Sequence, residues 1–340
     1  MMSKNKHILI TGGGGYIGSV LVPFLLNKKY KVTVIDRFFF GLNYKIHKNL
    51  TIIKNDVQNI NSIIFKKIDC VVDLVAIAND VTGDYFKNQT IKTNYLSRVR
   101  TARLAKKNGV KQYILPSSAS VYGFKPNDIL VSENTKPTPL THYSINNLNA
   151  EKRILELSSS KFHVNVMRQG TIFGYSPRLR LDLVINNFVF TYLNKGFINI
   201  LRDGKQMRPF LHIKDTSRFI EFLIKNIKES NNAEIFNVGD SSNSKSILDI
   251  KKIFEKRLNK KIKFEWYGDP DYRSYNLTFN KINNLGFKCL YDIDFGIKEL
   301  LIKLQKYKAS DINYTLKWYK NLNDWNDLIS DIKLNNKIFI

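Results

Sequence analysis

The stretch HILITGGGGYIGSVLVPFLLNKK, residues 7–29, restricts this chain more than any other. An apolar, β-branched run (HILIT, 7–11) ends in four consecutive glycines, and a helical pattern (GSVLVPFLLNKK, 18–29) follows at once. Gly13, Gly15 and Gly18 satisfy G-x-G-x-x-G, and Thr11, Gly12, Gly15 and Gly18 satisfy the variant T-G-x-x-G-x-x-G. Between a strand and a helix such glycines permit a tight turn and let backbone approach a pyrophosphate. The helix N-terminus then offers that anion free N–H groups and a positive dipole end. A second strand, KVTVID (31–36), ends on Asp36. A carboxylate there accepts the adenosine ribose hydroxyls and repels a 2′-phosphate, which favours NAD over NADP. Arg37, directly after it, pulls weakly the other way. Asp56, after the third strand, is placed for the adenine amino group. The expected cofactor contacts are Gly12, Gly15, Tyr16, Ile17, Gly18, Asp36, Arg37, Asp56, Val57, Leu74 and Ala76.

Further strand-like runs are LTIIKND (50–56), CVVDLVA (70–76) and QYILPSS (112–118), and NYLSRVRTARLAKKNG (94–109) reads as a helix ending on Gly109. Strands separated by helices of this length predict a parallel sheet with right-handed crossovers. The fold class is therefore α/β: a Rossmann-type doubly wound parallel sheet with a smaller, partly interleaved C-terminal α/β region. The expected boundaries are 1–175 for the NAD-binding domain and 176–340 for the mainly substrate-binding region. FINILRDG, EIFNVGD and KIKFEW read as short strands of the second region. The last forty residues read as polar helix anchored by Trp318 and Trp325.

The formal net charge of +25 raises nucleic acid or an anionic surface as partners. The lysines are scattered rather than gathered in a tail, and no zinc-finger, RNP-like or basic-zipper motif accompanies them. The charge is read as a Lys- and Asn-rich composition, with neither nucleic acid nor membrane as partner. No apolar run approaches the length of a membrane span, and the N-terminus lacks the pattern of a secretory signal. The two cysteines, Cys70 and Cys289, show no pairing motif, so no metal site or disulfide scaffold is expected. The expected location is the cytoplasm.

Taken with the serine and tyrosine segments, the chain resembles the extended short-chain dehydrogenase/reductases, specifically the NAD-dependent nucleotide-sugar epimerase/dehydratase family. TGGGGYIG (11–18), VIDRFFFG (34–41), DLVAIAND (73–80), SSASVYG (117–123), HYSINN (142–147) and RPFLHIKD (208–215) carry the resemblance. It implies oxidation of a sugar carbon, usually C4, by hydride transfer to tightly held NAD, followed by epimerisation, elimination, decarboxylation or release. By position it makes Tyr143 the general base and Ser118 the hydroxyl that holds the reacting sugar oxygen. Asn94 matches an asparagine that props the site, Asn186 a substrate-binding amide, and Arg208 and Arg273 the arginines that grip the nucleotide pyrophosphate; the resemblance also adds Asn94, Tyr143 and Asn147 to the cofactor contacts and Asn147 to the catalytic set. Relatives that eliminate or decarboxylate place an acid in the turn after the serine; here Ala119 and Ser120 stand there. That resembles 4-epimerases and simple 4-oxidoreductases. The reading leans to a net 4-dehydrogenase, on a GDP-heptose, in surface-polysaccharide biosynthesis, with a 4-epimerase as the alternative. The resemblance also implies a homodimer or homotetramer.

One position departs from the pattern. The family reads Y-x-x-x-K, and this chain reads YSINN, with Asn147 where the lysine belongs. That lysine binds the nicotinamide ribose and supplies a positive charge beside the tyrosine. Asn147 can hydrogen-bond a ribose hydroxyl but brings no charge. Either another cation from outside the motif replaces it, or the base is slow, or the protein binds NAD and a nucleotide sugar without turning over.

Overall fold

A computed structural model describes residues 6–126, 129–226, 232–269, 274–307 and 337–339. Trp318, Trp325 and Arg273 lie outside the described residues. The chain opens with β1 (His7–Thr11), α1 (Gly18–Asn27), β2 (Lys31–Asp36), β3 (Leu50–Lys54) and β4 (Cys70–Asp73). Two short helices, α2 (Asp80–Tyr85) and α3 (Lys87–Thr90), run into a π-helical segment, Ile91–Ser97, that continues as α4 (Arg98–Lys107). The single helix expected over 94–109 thus changes register inside its first turn. There follow β5 (Gln112–Ser118), β6 (Leu130–Val131), α5 (His142–Leu155) and β7 (His163–Gln169).

Beyond β7 come β8 (Thr171–Phe173), α6 (Val184–Lys195), β9 (Phe197–Leu201), β10 (Met207–His212), α7 (Ile213–Lys225) and β11 (Ala233–Val238). The remainder is β12 (Ser244–Ser246), α8 (Ile247–Leu258), β13 (Lys263–Tyr267), β14 (Asn276–Leu277), α9 (Asn280–Asn284), α10 (Ile293–Leu304) and β15 (Lys337–Phe339).

The main sheet runs β11-β7-β5-β4-β1-β2-β3-β15, parallel except for β15 against β3. Its strands are apolar on both faces because helices cover both. Ile8 and Ile10 pack with Leu21 and Leu25 of α1 and Phe219 of α7. Leu9, between them, points the other way, toward Val71, Tyr113 and the small residues Ala102, Ala105 and Ala150 of α4 and α5. Alanine at those places lets two helices lie close on the sheet. Strand order reverses between β2-β1 and β4, so a crevice opens beyond the carboxyl ends of β1 and β4.

A second core gathers Phe173, Phe188, Phe210, Phe254, Ile297 and Leu300 from β8, α6, β10, α8 and α10. The strand read from EIFNVGD does not belong to this body: β11 pairs with β7 along its whole length in the main sheet. A cut at residue 175 separates β11 from its sheet and α7 from the α1 face that it covers.

Candidate active site

The glycine loop is shaped by close backbone approaches. Gly12 has φ +70°, donates its N–H to Ile35 O at 2.8 Å, and has no room for a Cβ, which would lie 2.8 Å from the backbone of Leu74 and Val75. A Cβ on Gly18 would lie 2.4 Å from Gly13 O, so α1 can press on the loop only with glycine there. The helix is uncapped: Ile17 holds the N-cap and no side chain bonds its first turn. Backbone takes up part of that turn, Ser19 N–H donating to Gly15 O at 2.9 Å and Val20 N–H to Ile17 O at 3.0 Å, while the positive end of the helix dipole still faces the glycine loop and fits a pyrophosphate. Gly12, Gly15, Tyr16, Ile17 and Gly18 all line one cleft of about 790 Å³.

Asp36 also faces this cleft, pinned by Gly14 N–H at 2.9 Å and Phe38 N–H at 2.6 Å. Burial pushes its carboxyl up, against the pull of those N–H groups and of Arg178. Arg37 is committed elsewhere: it pairs with Asp56 at 2.5 Å, and its guanidinium lies 5.2 Å from the Phe39 ring centre. Holding a 2′-phosphate would require breaking that pair, so the favoured cofactor stays NAD despite Arg37. Val57, Leu74 and Ala76 line the same cleft.

At the other end stand Ser118 and Tyr143. Ser118 closes β5, and its Oγ accepts from Ser120 N–H at 3.2 Å. Beneath it Ser117 donates to Glu151, which forms a buried ion pair with Arg168 at 2.8 Å and ties β5 to α5 and β7. Tyr143 sits in the first turn of α5, whose start is fixed by reciprocal bonds between Thr141 and Ser144. Asp80 accepts the Thr141 hydroxyl at 2.5 Å, and Asp84 accepts His142 N–H at 2.7 Å. Gly83 lets α2 rest directly on Tyr143, since a Cβ there would lie 2.9 Å from Tyr143 Cβ. The turn after Ser118 holds buried Ala119 and cleft-lining Ser120, with no carboxylate.

Three expected contacts lie elsewhere. Asn147 is 1% exposed and does not line the cleft. Its Oδ1 accepts from Arg98 Nη1 at 2.7 Å, while its Nδ2 has no partner. Asn94 is spent on the backbone of Ile77, accepting its N–H at 2.8 Å and donating to its carbonyl at 3.0 Å. It shapes the cleft floor without lining it. Asn186 is also buried off the cleft: it accepts Gly174 N–H at 3.0 Å and donates to Tyr16 Oη at 3.1 Å and Arg180 O at 3.0 Å. With Tyr16 donating to Gly174 O at 2.6 Å, Asn186 stitches the glycine loop to the opposite wall. Arg208 does line the cleft, donating to Met207 O at 2.9 Å with its guanidinium 5.3 Å from the Tyr275 ring centre.

The cleft contains charges that pattern reading did not single out: Arg98, Arg178, Arg180 and Asp182. Arg178 lies 3.7 Å from the Phe40 ring centre, and Arg180 pairs with Asp182 at 2.5 Å. Burial would raise the Asp182 carboxyl, but Arg180 and Asn79 hold it below the usual carboxylate value. For Arg98 a signal existed: it stands four residues after Asn94, on the same helical face. Among the described residues no group of three or more His, Cys, Asp or Glu is placed to hold a metal, and no helix is long and apolar enough to cross a membrane.

Residues 8–239 match the model of the NAD-dependent epimerase/dehydratase family. The chain belongs to that family. NAD is the cofactor that membership assigns, and the cradle fits it. Among curated relatives, UDP-glucuronic acid decarboxylase 4 of Arabidopsis thaliana is 28% identical over 303 residues, covering 81% of this chain and 63% of the relative. The match thus spans less than two thirds of that relative's length. A UDP-N-acetyl-alpha-D-glucosaminuronate decarboxylase of Bacillus cytotoxicus is 30% identical over 259 residues, covering 72% and 78%. Among solved structures, the UDP-glucuronic acid 4-epimerase of Bacillus cereus in complex with NAD superposes with a TM-score of 0.79 at 24% identity, over 91% of this chain and 99% of that one. This last likeness is one of fold.

Proposed function

We propose that this protein oxidises C4 of a nucleotide-activated sugar and releases the 4-keto sugar, a net 4-dehydrogenase. The observation that carries the reading is one cleft lined by the glycine loop, Asp36, Ser118, Tyr143 and Arg208, with no acid in the Ala119–Ser120 turn. The other carboxylates of that end are engaged, Asp80 with Thr141 and Asp182 with Arg180 and Asn79. Bound NAD supplies the hydride acceptor. Tyr143, as the phenolate, takes the proton of the C4 hydroxyl while the C4 hydrogen leaves with its electron pair. Ser118 holds the same oxygen and keeps it in line. Arg208 grips the pyrophosphate, a task suited to a rigid bidentate cation. A GDP-heptose is the first substrate to try, and a homodimer or homotetramer in the cytoplasm is the proposed setting.

A 4-epimerase is the second reading, favoured by the same acid-free turn, because returning the hydride to the other face of C4 also needs no acid there. Incubating the protein with NAD and a panel of nucleotide sugars separates the two. A net dehydrogenase accumulates NADH in proportion to sugar, and an epimerase yields a new sugar without it. Tyr143→Phe is expected to lose turnover by about a thousandfold while keeping NAD and nucleotide-sugar affinity. Near-normal turnover in that variant removes Tyr143 as the base. Absence of turnover with every sugar, despite tight binding, would leave a binding protein.

A further inference from the structure

Among the described residues Arg98 is a buried cation with no carboxylate paired to it. It is 2% exposed, at the point where the π-helical segment becomes α4. Its Nε donates to Val75 O at 2.8 Å and its Nη1 to Asn147 Oδ1 at 2.7 Å, both neutral acceptors. No carboxylate of the described residues lies within ion-pair distance of it. Asp73 is occupied by the hydroxyls of Thr11 and Tyr113, and Asp80 and Asp84 by Thr141 and His142. A buried guanidinium left in this state is unfavourable, and structures retain such groups where a ligand completes them.

The open side of the group is toward the cleft. Arg98 lines it, Asn147 does not, and Arg98 Nη2 makes no hydrogen bond to any described residue. Val75 and Ala76, which follow the strand end that Arg98 braces, line the same cleft as Thr141 and Tyr143. Asn147 follows Tyr143 by four residues, one turn along the same face of α5, so its bond brings the guanidinium to the Tyr143 end. The amide orientation is dictated by the arginine, which can only donate. The cost is an orphaned buried Nδ2, which a purely structural asparagine has no reason to keep.

We infer that Arg98 is a cofactor-contacting cation of this site, directed at the ribose on the nicotinamide side, and that Asn147 is a positioning residue that holds it there. The inference rests on the reading of Tyr143 as the base. The positive charge that a lysine at 147 would carry on α5 is delivered instead from α4, across the helix interface.

Calorimetric NAD binding, thermal unfolding of the cofactor-free protein and turnover, measured together, test this. Arg98→Met is expected to weaken NAD binding about tenfold or more, the loss of a charge-assisted contact, while cofactor-free unfolding stays level or rises. Arg98→Lys keeps the charge, loses the fork, and retains much of the affinity. Asn147→Asp gives Arg98 a carboxylate: unfolding temperature rises while NAD affinity and turnover fall. The double variant Arg98→Met/Asn147→Lys regains NAD affinity lost in Arg98→Met. If Arg98→Met binds NAD as the parent does, or Arg98→Met and Arg98→Lys lose stability and affinity in equal step, Arg98 only packs and the inference is overturned. Should Arg98→Met fail to fold, Asn147→Asp decides: unchanged NAD affinity overturns the inference, and a stabilised protein that binds NAD poorly supports it. The failure of the base reading is separate, since it appears only as activity in Tyr143→Phe, whereas NAD affinity reports on Arg98 alone.

Discussion

The two ends of the cleft are built by different means. The glycine-loop end is made of backbone: Gly12 and Gly18 are defined by what a Cβ would strike, and Asp36 is held by two N–H groups. The Tyr143 end is made of side chains that reach between distant elements, Thr141 to Asp80 and Asn147 to Arg98, and the second core is fastened in the same way by residues that do not line the cleft. Glu299 of α10 meets His212 at 3.2 Å, Tyr175 N–H at 3.1 Å and the ammonium of Lys214, and so fastens α10 to β10, α7 and the chain after β8. A backbone site is rigid and tolerates almost no substitution at its glycines. A side-chain site can exchange its parts, as Arg98 and Asn147 do for a lysine.

The sharpest way to break this contrast is Gly18→Ala. Its Cβ meets Gly13 backbone, which cannot turn aside, so a loss of about 3 kcal/mol or more is expected, read as NAD affinity reduced about a hundredfold or as a matching loss of stability. If calorimetry and thermal unfolding both find the parent values, the loop is not backbone-limited.

Glu299→Gln probes the side-chain fastening of the second core. Burial alone would raise this carboxyl, but hydrogen bonds from His212 and Lys214 hold it down to about 2, against an ordinary 4.5. The group is therefore stabilising above the ordinary value, and that contribution drains away as pH falls from 4.5 toward 2. The variant is expected to lose roughly 2–3 kcal/mol at neutral pH and to show a flatter acid limb in denaturant titrations. An acid limb as steep as the parent's would show that Glu299 carries none of it.

Asp36→Ala is the mildest of the three. Removing the carboxylate should weaken NAD binding by about 1–2 kcal/mol and relax discrimination against NADP. Arg37 remains paired with Asp56, so NADP should gain little in absolute affinity; Arg37→Ala made alongside measures that. Equal NAD and NADP affinity in the parent protein would remove the role given to Asp36.

The same contrast explains what pattern reading could reach. The cradle was legible because strand, turn, helix and acidic residue are contiguous and their spacing is set by the backbone. The strands β1 to β5 of the main sheet were legible through their apolar runs; β7 was not, because polar residues interrupt HVNVMRQ, nor was β15, in a stretch that reads as helix, and the EIFNVGD of β11 looks the same whichever sheet it joins. Asn147, Asn94 and Asn186 were each given a ligand, and each is spent on protein. Asn147 bonds a residue 49 positions away, and Asn186 one 170 positions away. Spacing along the chain carries no record of such partners. The change to π register at Ile91–Ser97 left no mark in the apolar pattern either, although it sets where Arg98 emerges.

The Arg98–Asn147 bond also has a history implied in it. A lysine at 147 beside the present Arg98 would force two cations into one buried space, and an asparagine there without Arg98 would leave none. Each single step between the two layouts passes through a protein worse than either end. A lineage that acquired both residues is thereby held to them, and either substitution transplanted alone into a relative with the other layout should fail where the pair succeeds.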